Sequence, residues 1–207
     1  MATFSEASIA ELLAPYLGSE GSLTGSTQLY GQLSVYLDLL LKWNARTNLT
    51  AIRDPEEIVR RHFGESLFAG RHMAKCNTLL DFGSGAGFPG LPIQLLHPEM
   101  IVTLAESQNK KATFLREVVR TLGLKTEIWS ARVETMPGDR KFDVVALRAV
   151  DNMEVALPTA IQRIASGGEL VLLTTAGLVP EGGRDLALPN SASGVLHLKT
   201  FHVEHPS

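Results

Sequence analysis

The chain has 207 residues, of which 44% are hydrophobic, and its formal net charge is −3. These values predict one domain with a full hydrophobic core, or one domain with an appendage. They exclude a membrane span, because no apolar run approaches the roughly 20 residues that a helix needs to cross a bilayer. The single cysteine, Cys76, excludes a disulfide framework, and the six histidines lack metal-ligand spacing. We therefore expect no metal and a cytoplasmic protein.

Charge is unevenly distributed along the chain. Residues 1–41 contain four acidic side chains and no basic one, whereas residues 42–75 contain seven Lys or Arg and four Asp or Glu. Residues 151–207 are acidic again, with three basic and six acidic side chains. A basic segment between acidic ends can guide a polyanion even when the total charge is negative. The composition therefore does not exclude a nucleic-acid partner.

The first third of the chain has the patterns of helices and no strand-like run. Apolar residues recur at helical spacing over residues 4–17 and again from about 27 to 45. Asp54 and Pro55 have the residue types of an N-cap and a first helical position, which predicts a third helix carrying Arg60, Arg61 and His62. Residues 1–75 are therefore predicted to form an N-terminal helical cap.

Strand-like runs alternate with helix-like stretches from residue 77 onward. The strand-like runs lie at about 77–82, 100–106, 125–130, 142–147 and 168–174. The helix-like stretches lie at 88–97, 109–123 and 151–165. This alternation predicts an α/β fold with a mostly parallel sheet between two layers of helices. We expect residues 76–207 to form this ligand-binding domain, in one compact unit with the cap.

Two short apolar runs, at about 194–198 and 200–204, follow the five predicted strands. No helix fits between them, so we expect an antiparallel hairpin at the C-terminal edge, which completes a seven-stranded sheet. Residues 177–193 are rich in Gly and Pro and predict a long loop before this hairpin.

The densest glycine cluster follows the first predicted strand. The segment from Leu79 to Gly90 reads LLDFGSGAGFPG, so that an apolar run ends in an acid and then contains four glycines within eight residues. Glycine permits positive φ angles and lets a ligand approach the backbone. The pattern is typical of a ligand-binding turn between a strand and a helix N-terminus.

Three interpretations of this turn are open. Gly85, Gly87 and Gly90 fit the dinucleotide pattern G-x-G-x-x-G, which favours an NAD-dependent oxidoreductase. Gly83, Gly85 and Gly87 have the tighter spacing G-x-G-x-G directly after Asp81. That spacing suits a ligand with an amino-acid part and no phosphate, such as S-adenosylmethionine. A glycine turn without a ligand is the third interpretation.

Later strand ends add candidate ligand contacts. Glu106 ends the second strand, where a carboxylate can accept hydrogen bonds from both ribose hydroxyls of a nucleoside. Val133 and Glu134 follow the third strand, beside the expected adenine, although a helix dipole also favours an acid at such a position. Arg148 ends the fourth strand, next to the first strand in the expected sheet, and so is predicted to lie in the ligand crevice.

The sequence resembles the RsmG (GidB) family of bacterial methyltransferases, which modify N7 of a guanine in small-subunit ribosomal RNA. The resemblance rests on the segment from Asp81 to Gly90 and on Trp43-Asn44 with Asn48-Leu49-Thr50. Further matching segments are Glu106-Ser107, Lys110-Lys111, Phe114-Leu115, Arg132-Val133-Glu134 and Arg148-Ala149. Together they cover about residues 30–170.

The resemblance implies a Rossmann-like class I methyltransferase with an N-terminal helical cap and S-adenosylmethionine as cofactor. It carries cofactor contacts onto Gly83, Phe88, Val133, Glu134 and Arg148. The ribose argument adds Glu106, and Gly83 rather than Gly90 is expected against the ligand. The implied partner is 16S ribosomal RNA or the small ribosomal subunit, and we expect a monomer.

The sequence departs from the family pattern in two places. The pattern His-x-x-Asp-Ser appears as His62-Phe63-Gly64-Glu65-Ser66, with Glu in place of Asp. The family tends to follow its fifth strand with Lys-Gly and to end in a basic strand, whereas this chain has neither. We therefore do not assign RNA contacts to the C-terminal edge.

The expected chemistry requires no general base. Guanine N7 already carries a lone pair, so the enzyme mainly has to orient the reactants and exclude water. Arg148, the glycine turn and the 42–62 segment are expected to shape the guanine pocket. Phosphate contacts are expected from Arg46, Arg53, Arg60 and Arg61. Besides the oxidoreductase, the alternative is a cofactor-binding ribosome assembly factor that has lost catalysis.

Overall fold

The computed structural model describes residues 4–18, 26–148 and 153–201. The α-helices are α1 (Glu6–Leu17), α2 (Ser26–Thr47), α3 (Pro55–Glu57), α4 (Glu65–His72), α5 (Gly90–Leu96), α6 (Asn109–Leu122) and α7 (Met153–Ile161). A π-helical segment, Ile58–Gly64, joins α3 to α4, and a 3₁₀ turn covers Val133–Thr135. The strands are β1 (Thr78–Phe82), β2 (Ile101–Ala105), β3 (Glu127–Trp129), β4 (Phe142–Arg148), β5 (Ile164–Thr175), β6 (Arg184–Ala187) and β7 (Gly194–Thr200).

The cap helices form where the sequence predicted them. In α2, Leu29, Leu33, Leu37 and Leu40 recur every three or four residues and are all buried, because this spacing places them on one face of the helix. The Asp54 carboxylate accepts a hydrogen bond from the Glu57 N–H at 2.9 Å, which confirms the predicted N-cap. The predicted break after α1 falls largely on residues 19–25, which lie outside the described residues.

The sheet has seven strands in the order β3-β2-β1-β4-β5-β7-β6, with β1 to β5 parallel. The chain runs outward in one direction from β1 to β3 and then returns to start β4 on the other side of β1. The carboxyl ends of β1 and β4 therefore flank the point at which the strand order reverses. Ligands bind at this point in open α/β sheets.

The C-terminal edge is antiparallel, as predicted, but its strands were assigned wrongly. Residues 194–198 and the start of the second predicted run belong to one strand, β7, which pairs antiparallel with β5 and with β6. Its hairpin partner β6 lies inside the segment 177–193 that was predicted to be a loop. The Gly and Pro content hid this short strand, in which three of four residues are exposed. Residues 202–204 of the second run lie outside the described residues.

The cap and the sheet share one hydrophobic core. Tyr36 of α2 and Phe63 of the π-helical segment are fully buried in the same cluster as Leu79 of β1 and Val144 of β4. A second cluster fills the opposite face of the sheet, beneath α7. Because the first cluster is continuous, the cap packs directly on the sheet. The domain boundary at residue 75 stays a prediction.

Within the described ranges, no helix is both long enough and apolar enough to cross a membrane. The same residues contain no group of three His, Cys, Asp or Glu side chains that could hold a metal ion.

Candidate active site

The glycine loop, residues 83–90, connects β1 to α5. Gly83 has a φ of +74°, a left-handed conformation that side chains disfavour. Gly90 donates its N–H to Asp81 Oδ2 at 2.9 Å, and a Cβ on Gly90 would lie 2.7 Å from that oxygen. Gly90 thus serves close packing against β1, whereas Gly83 and Gly85 line an open crevice. The loop geometry is compatible with the prediction that Gly83, rather than Gly90, faces the ligand.

The crevice lies at the carboxyl ends of β1, β2 and β4 and has a volume of about 350 Å³. It is lined by Leu49, Thr50, His62, Gly83, Ser84, Gly85, Ala86, Phe88, Glu106, Ser107, Gln108, Lys111 and Arg148. Four of the six predicted cofactor contacts meet here, namely Gly83, Phe88, Glu106 and Arg148. The cap supplies the opposite wall.

Glu106 is held in place by two backbone groups. Its Oε2 accepts from the Gly85 N–H at 2.9 Å, and its Oε1 accepts from the Gln108 N–H at 2.7 Å. The side chain is fixed between the glycine loop and the turn after β2. A carboxylate offers about four lone-pair positions, so each oxygen keeps the capacity to accept from a hydroxyl group. This is the chemistry that a ribose diol requires.

Asp81 is a buried acid beneath the loop. Burial raises the pKa of Asp81 to about 7, the nearby Glu106 acts in the same direction, and the Gly90 N–H and Arg148 act against both. Oδ2 is bonded to Gly90, whereas Oδ1 has no hydrogen-bond partner among the described residues. The position was noted in the sequence as the strand end, and its titration was not predicted.

Arg148 projects from the end of β4 into the crevice and pairs with an acid of the cap. Its Nη2 donates to Glu65 Oε2 at 2.7 Å, and the side chains are only 10% and 8% exposed. Burial lowers the pKa of Arg148, and Glu65 raises it. Nη1 is buried and has no partner within the described chain. Glu65, where the family pattern has Asp, thus holds Arg148 and leaves one amino group for another acceptor.

His62 is a crevice residue that was predicted only as the last position of the 42–62 segment, without a role of its own. Its ring stacks on Phe88, with 4.6 Å between centroids and 19° between planes, and its Nε2 lies 2.7 Å from Thr50 Oγ1. Burial lowers the pKa of His62 to about 2, assisted by the charges of Arg148 and Arg61. The ring is therefore neutral at pH 7. A single histidine on a predicted helix gave no signal of this contact.

The loop of residues 48–52 brings the cap to the crevice, and Asn44 shapes that loop. The buried Asn44 amide accepts from the Thr50 N–H at 3.0 Å and donates to the Thr50 and Ile52 carbonyls. Leu49 and Thr50 are thereby placed on the crevice wall. Tyr36 of α2 also donates a hydrogen bond to the Ala86 carbonyl in the glycine loop. The Trp-Asn and Asn-Leu-Thr motifs thus have a structural role in building the site.

Val133 and Glu134 do not line this cavity. Val133 is buried, Glu134 is exposed, and both lie in the 3₁₀ turn that follows β3, the neighbour of β2. Arg163, buried after α7, donates to the carbonyls of Val133, Met136 and Pro137 and so fixes the turn. Their contact with an adenine ring stays a prediction. The sequence analysis missed Arg163, because its partners are backbone carbonyls some 30 residues away.

Comparison with known proteins decides the family. The profile of the rRNA small subunit methyltransferase G (GidB) family matches residues 29–181, about three quarters of the chain. The chain belongs to this family. The Exiguobacterium sp. protein named ribosomal RNA small subunit methyltransferase G is 40% identical over 172 residues, which are 80% of this chain and 72% of that protein. The Streptococcus thermophilus protein of the same name is 39% identical over 182 residues, 84% of this chain and 75% of the relative.

Solved structures support the fold independently. The Thermus thermophilus 16S rRNA N2 G1207 methyltransferase RsmC, in complex with AdoMet and guanosine, has a TM-score of 0.52 at 19% identity. The match covers 66% of this chain and 42% of that chain. Pyrococcus horikoshii TYW2, in complex with MeSAdo, has a TM-score of 0.56 at 16% identity. This match covers 69% of this chain and 63% of that chain. At these identities the likeness concerns the fold alone.

Membership of the GidB family confirms the resemblance on which the sequence analysis relied. The fold class, a Rossmann-like class I methyltransferase with an antiparallel C-terminal edge, is confirmed as well. As a member of this family, the chain is a methyltransferase of small-subunit ribosomal RNA. The oxidoreductase interpretation of the glycine loop is therefore set aside.

Proposed function

We propose that this chain transfers a methyl group from S-adenosylmethionine to N7 of a guanine in 16S ribosomal RNA, and that the crevice beneath the cap is the site of transfer. The proposal rests on one observation: Gly83, Glu106 and Arg148 line the same cavity as His62 of the cap. The chain is proposed to act as a monomer in the cytoplasm, on ribosomal RNA or on the small subunit.

The residues of the crevice fit the cofactor. When bound, S-adenosylmethionine supplies an electrophilic methyl group on a sulfonium centre. Glu106, held by two N–H groups, would accept from the ribose hydroxyls, and the open backbone at Gly83 and Gly85 would admit the amino-acid part. Nη1 of Arg148 is buried and has no partner in the described ranges, so it is a donor that a bound acceptor would satisfy. Val133 and Glu134 are proposed to lie beside the adenine.

The chain's own contribution is orientation rather than proton transfer. Guanine N7 has a free lone pair, and the neutral His62 adds no charge to the crevice. Stacking on Phe88 fixes the ring of His62 in the crevice wall, and the other face of that ring would offer a purine a stacking surface. Glu65 fixes Arg148 at the carboxyl end of β4, so that the guanidinium enters the site in one orientation. Fixing two reactants in line can supply several kcal/mol of the barrier reduction.

The test is to incubate the protein with unmethylated small ribosomal subunits and S-adenosylmethionine labelled in the methyl group. Chemical cleavage at N7-methylguanine then maps the modified base. We expect one cleavage position that depends on the protein, and we expect the Glu106→Ala variant to require more S-adenosylmethionine for half-maximal labelling. Label at another atom of the RNA would contradict the N7 assignment. Cofactor binding without transfer would instead favour the assembly-factor alternative.

A further inference from the structure

A second concave surface lies beside the crevice and is lined by cations. We call it the cationic hollow; it has a volume of about 430 Å³ and is lined by Asn44, Ala45, Arg46, Thr47, Asn48, Arg53 and Lys110. The last turn of α2 and the first turn of α6 form its sides. Three of its seven lining residues are basic, and none is acidic.

Among the residues that the structure describes, no acid pairs with the cations of the hollow, and one of these cations is fixed in position. Arg53 donates from Nη1 to the Asn44 carbonyl at 2.8 Å and from Nη2 to the Asn48 side chain. Its guanidinium is thus oriented by neutral groups. Arg46 and Lys110 are exposed and form no ion pair within the described residues. The hollow therefore has the charge and shape of an anion site.

Two arginines of the π-helical segment have a different environment. Arg60 lies 2.9 Å from Glu56, and Arg61 lies 3.6 Å from Glu57 and 3.8 Å from Glu65. An acid one helical turn away compensates each of these charges. The structure thus separates four arginines that the sequence analysis treated alike. Arg60 and Arg61 have acidic partners, whereas Arg46 and Arg53 have none in the described part of the chain.

The hollow and the crevice have neighbouring walls. Asn48 and Lys110 line the hollow, while their chain neighbours Leu49 and Lys111 line the crevice. Neighbouring Cα atoms are about 3.8 Å apart, so the two cavities are separated by little more than one residue. A nucleotide whose base enters the crevice would have a flanking phosphate close to the hollow, because only one sugar joins each base to its backbone phosphates.

We propose that the cationic hollow binds the backbone phosphate that flanks the target guanine, and so sets the register of the RNA strand over the crevice. The assignment rests on the proposed function for the identity of the polyanion. Phosphate contacts position a nucleic acid without reading its sequence. Arg46, Arg53 and Lys110 are therefore positioning residues, and the selection of the base is left to the crevice.

The test compares the double variant Arg46→Ala/Lys110→Ala with Arg120→Ala/Lys125→Ala. The second pair removes the same two charges from around the opposite end of α6. Binding to protein-free 16S ribosomal RNA is measured at several salt concentrations. For the hollow variant we expect an affinity about tenfold lower than wild type, and a slope of log K against log salt that is shallower by about 1 to 2. The control should keep the wild-type slope.

Two further readouts separate the possible failures. Calorimetric S-adenosylmethionine affinity and the midpoint of thermal unfolding should be unchanged in the hollow variant, because neither residue lines the crevice. A wild-type slope in the hollow variant, or an equal loss in both variants, would overturn the assignment. If the hollow variant shows the shallower slope while the wild-type protein transfers no methyl group, the phosphate site is supported and the proposed enzyme activity is not.

Discussion

At the scale of single residues, the site is built from buried polar groups that have few partners. Asp81, His62 and Arg148 each have a buried polar atom without a hydrogen-bond partner in the described chain. Two of them also have strongly shifted pKa values, and both shifts favour the neutral form: Asp81 retains its proton up to about pH 7, and His62 stays neutral down to about pH 2. Perturbed groups of this kind concentrate at functional sites.

These shifts predict how stability depends on pH. Folding raises the pKa of Asp81 to about 7. The contribution of Asp81 to the free energy of unfolding is therefore fully present below about pH 4 and is lost as the pH rises towards 7. His62 has the opposite effect, since its folded pKa of about 2 makes stability fall as the pH drops below about 6.5. Between about pH 4 and 6.5, a rise in pH therefore lowers stability through Asp81 and increases it through His62.

We therefore expect the Asp81→Asn variant to gain stability relative to wild type as the pH is raised from 5 to 7, by about 1 kcal/mol per pH unit. Asn can still accept from the Gly90 N–H, so the loop contact is preserved. Urea unfolding at pH 5, 6 and 7 measures the difference. Parallel curves for the two proteins would show that Asp81 titrates normally.

The residue contacts explain which parts of the site could be predicted. The positions of Gly83, Glu106 and Arg148 in the site could be predicted, because all three lie at strand ends and parallel strands bring their carboxyl ends to one edge of the sheet. His62 could not be found in this way, since its place depends on Thr50 and Phe88, 12 and 26 positions away along the chain. Asn44 was recognised only as part of a motif, and its role became clear from its hydrogen bonds to the 50–52 backbone.

At the scale of elements, an ion pair joins the cap to the sheet. Glu65 begins α4 directly after the π-helical segment, and Arg148 ends β4, 83 positions later. π-helical turns are rare and frequent at functional sites. Nothing in the sequence indicated one, because the apolar spacing of residues 55–72 is compatible with a continuous α-helix. Here the π-helical segment ends directly before Glu65, which fixes Arg148.

The pair predicts a graded response to substitution. Glu65→Gln should lower the free energy of unfolding by about 3 kcal/mol, because Arg148 would remain buried without a counter-charge. Glu65→Asp, the residue of the family pattern, should cost less, since the charge is kept. The double variant Glu65→Gln/Arg148→Met should recover part of the loss. Urea denaturation at pH 7 measures all four proteins, and a Glu65→Gln value within about 0.5 kcal/mol of wild type would contradict this role.

The C-terminal edge shows where element prediction fails. Strands β1, β2, β4 and β5 have the continuous apolar character of buried parallel strands, and they were found. Strand β6 has four residues and a mostly exposed surface, so its sequence resembles a loop. It is a strand because β7 offers an unpaired edge, which is a property of the assembled sheet.

At the scale of the whole molecule, the cap and the sheet form one site rather than two modules in contact. The cap supplies His62, Thr50 and the acid that holds Arg148, and the sheet supplies the glycine loop and Glu106. The strand order places the crevice at the reversal point, so its location follows from topology alone. The alternation of strands and helices predicted that topology. The closure of the crevice by the cap depends on tertiary contacts that the pattern does not contain.

We expect one crevice, walled by both the cap and the sheet, to hold the cofactor. Hydrogen–deuterium exchange of the full chain with and without S-adenosylmethionine tests it directly and does not depend on catalysis. We predict slower exchange in three segments: the glycine loop at 83–90, the turn at 105–108 and the cap loop at 48–52. Exchange in β6 and β7 should stay unchanged. Protection that spares both the glycine loop and the cap loop would contradict the account.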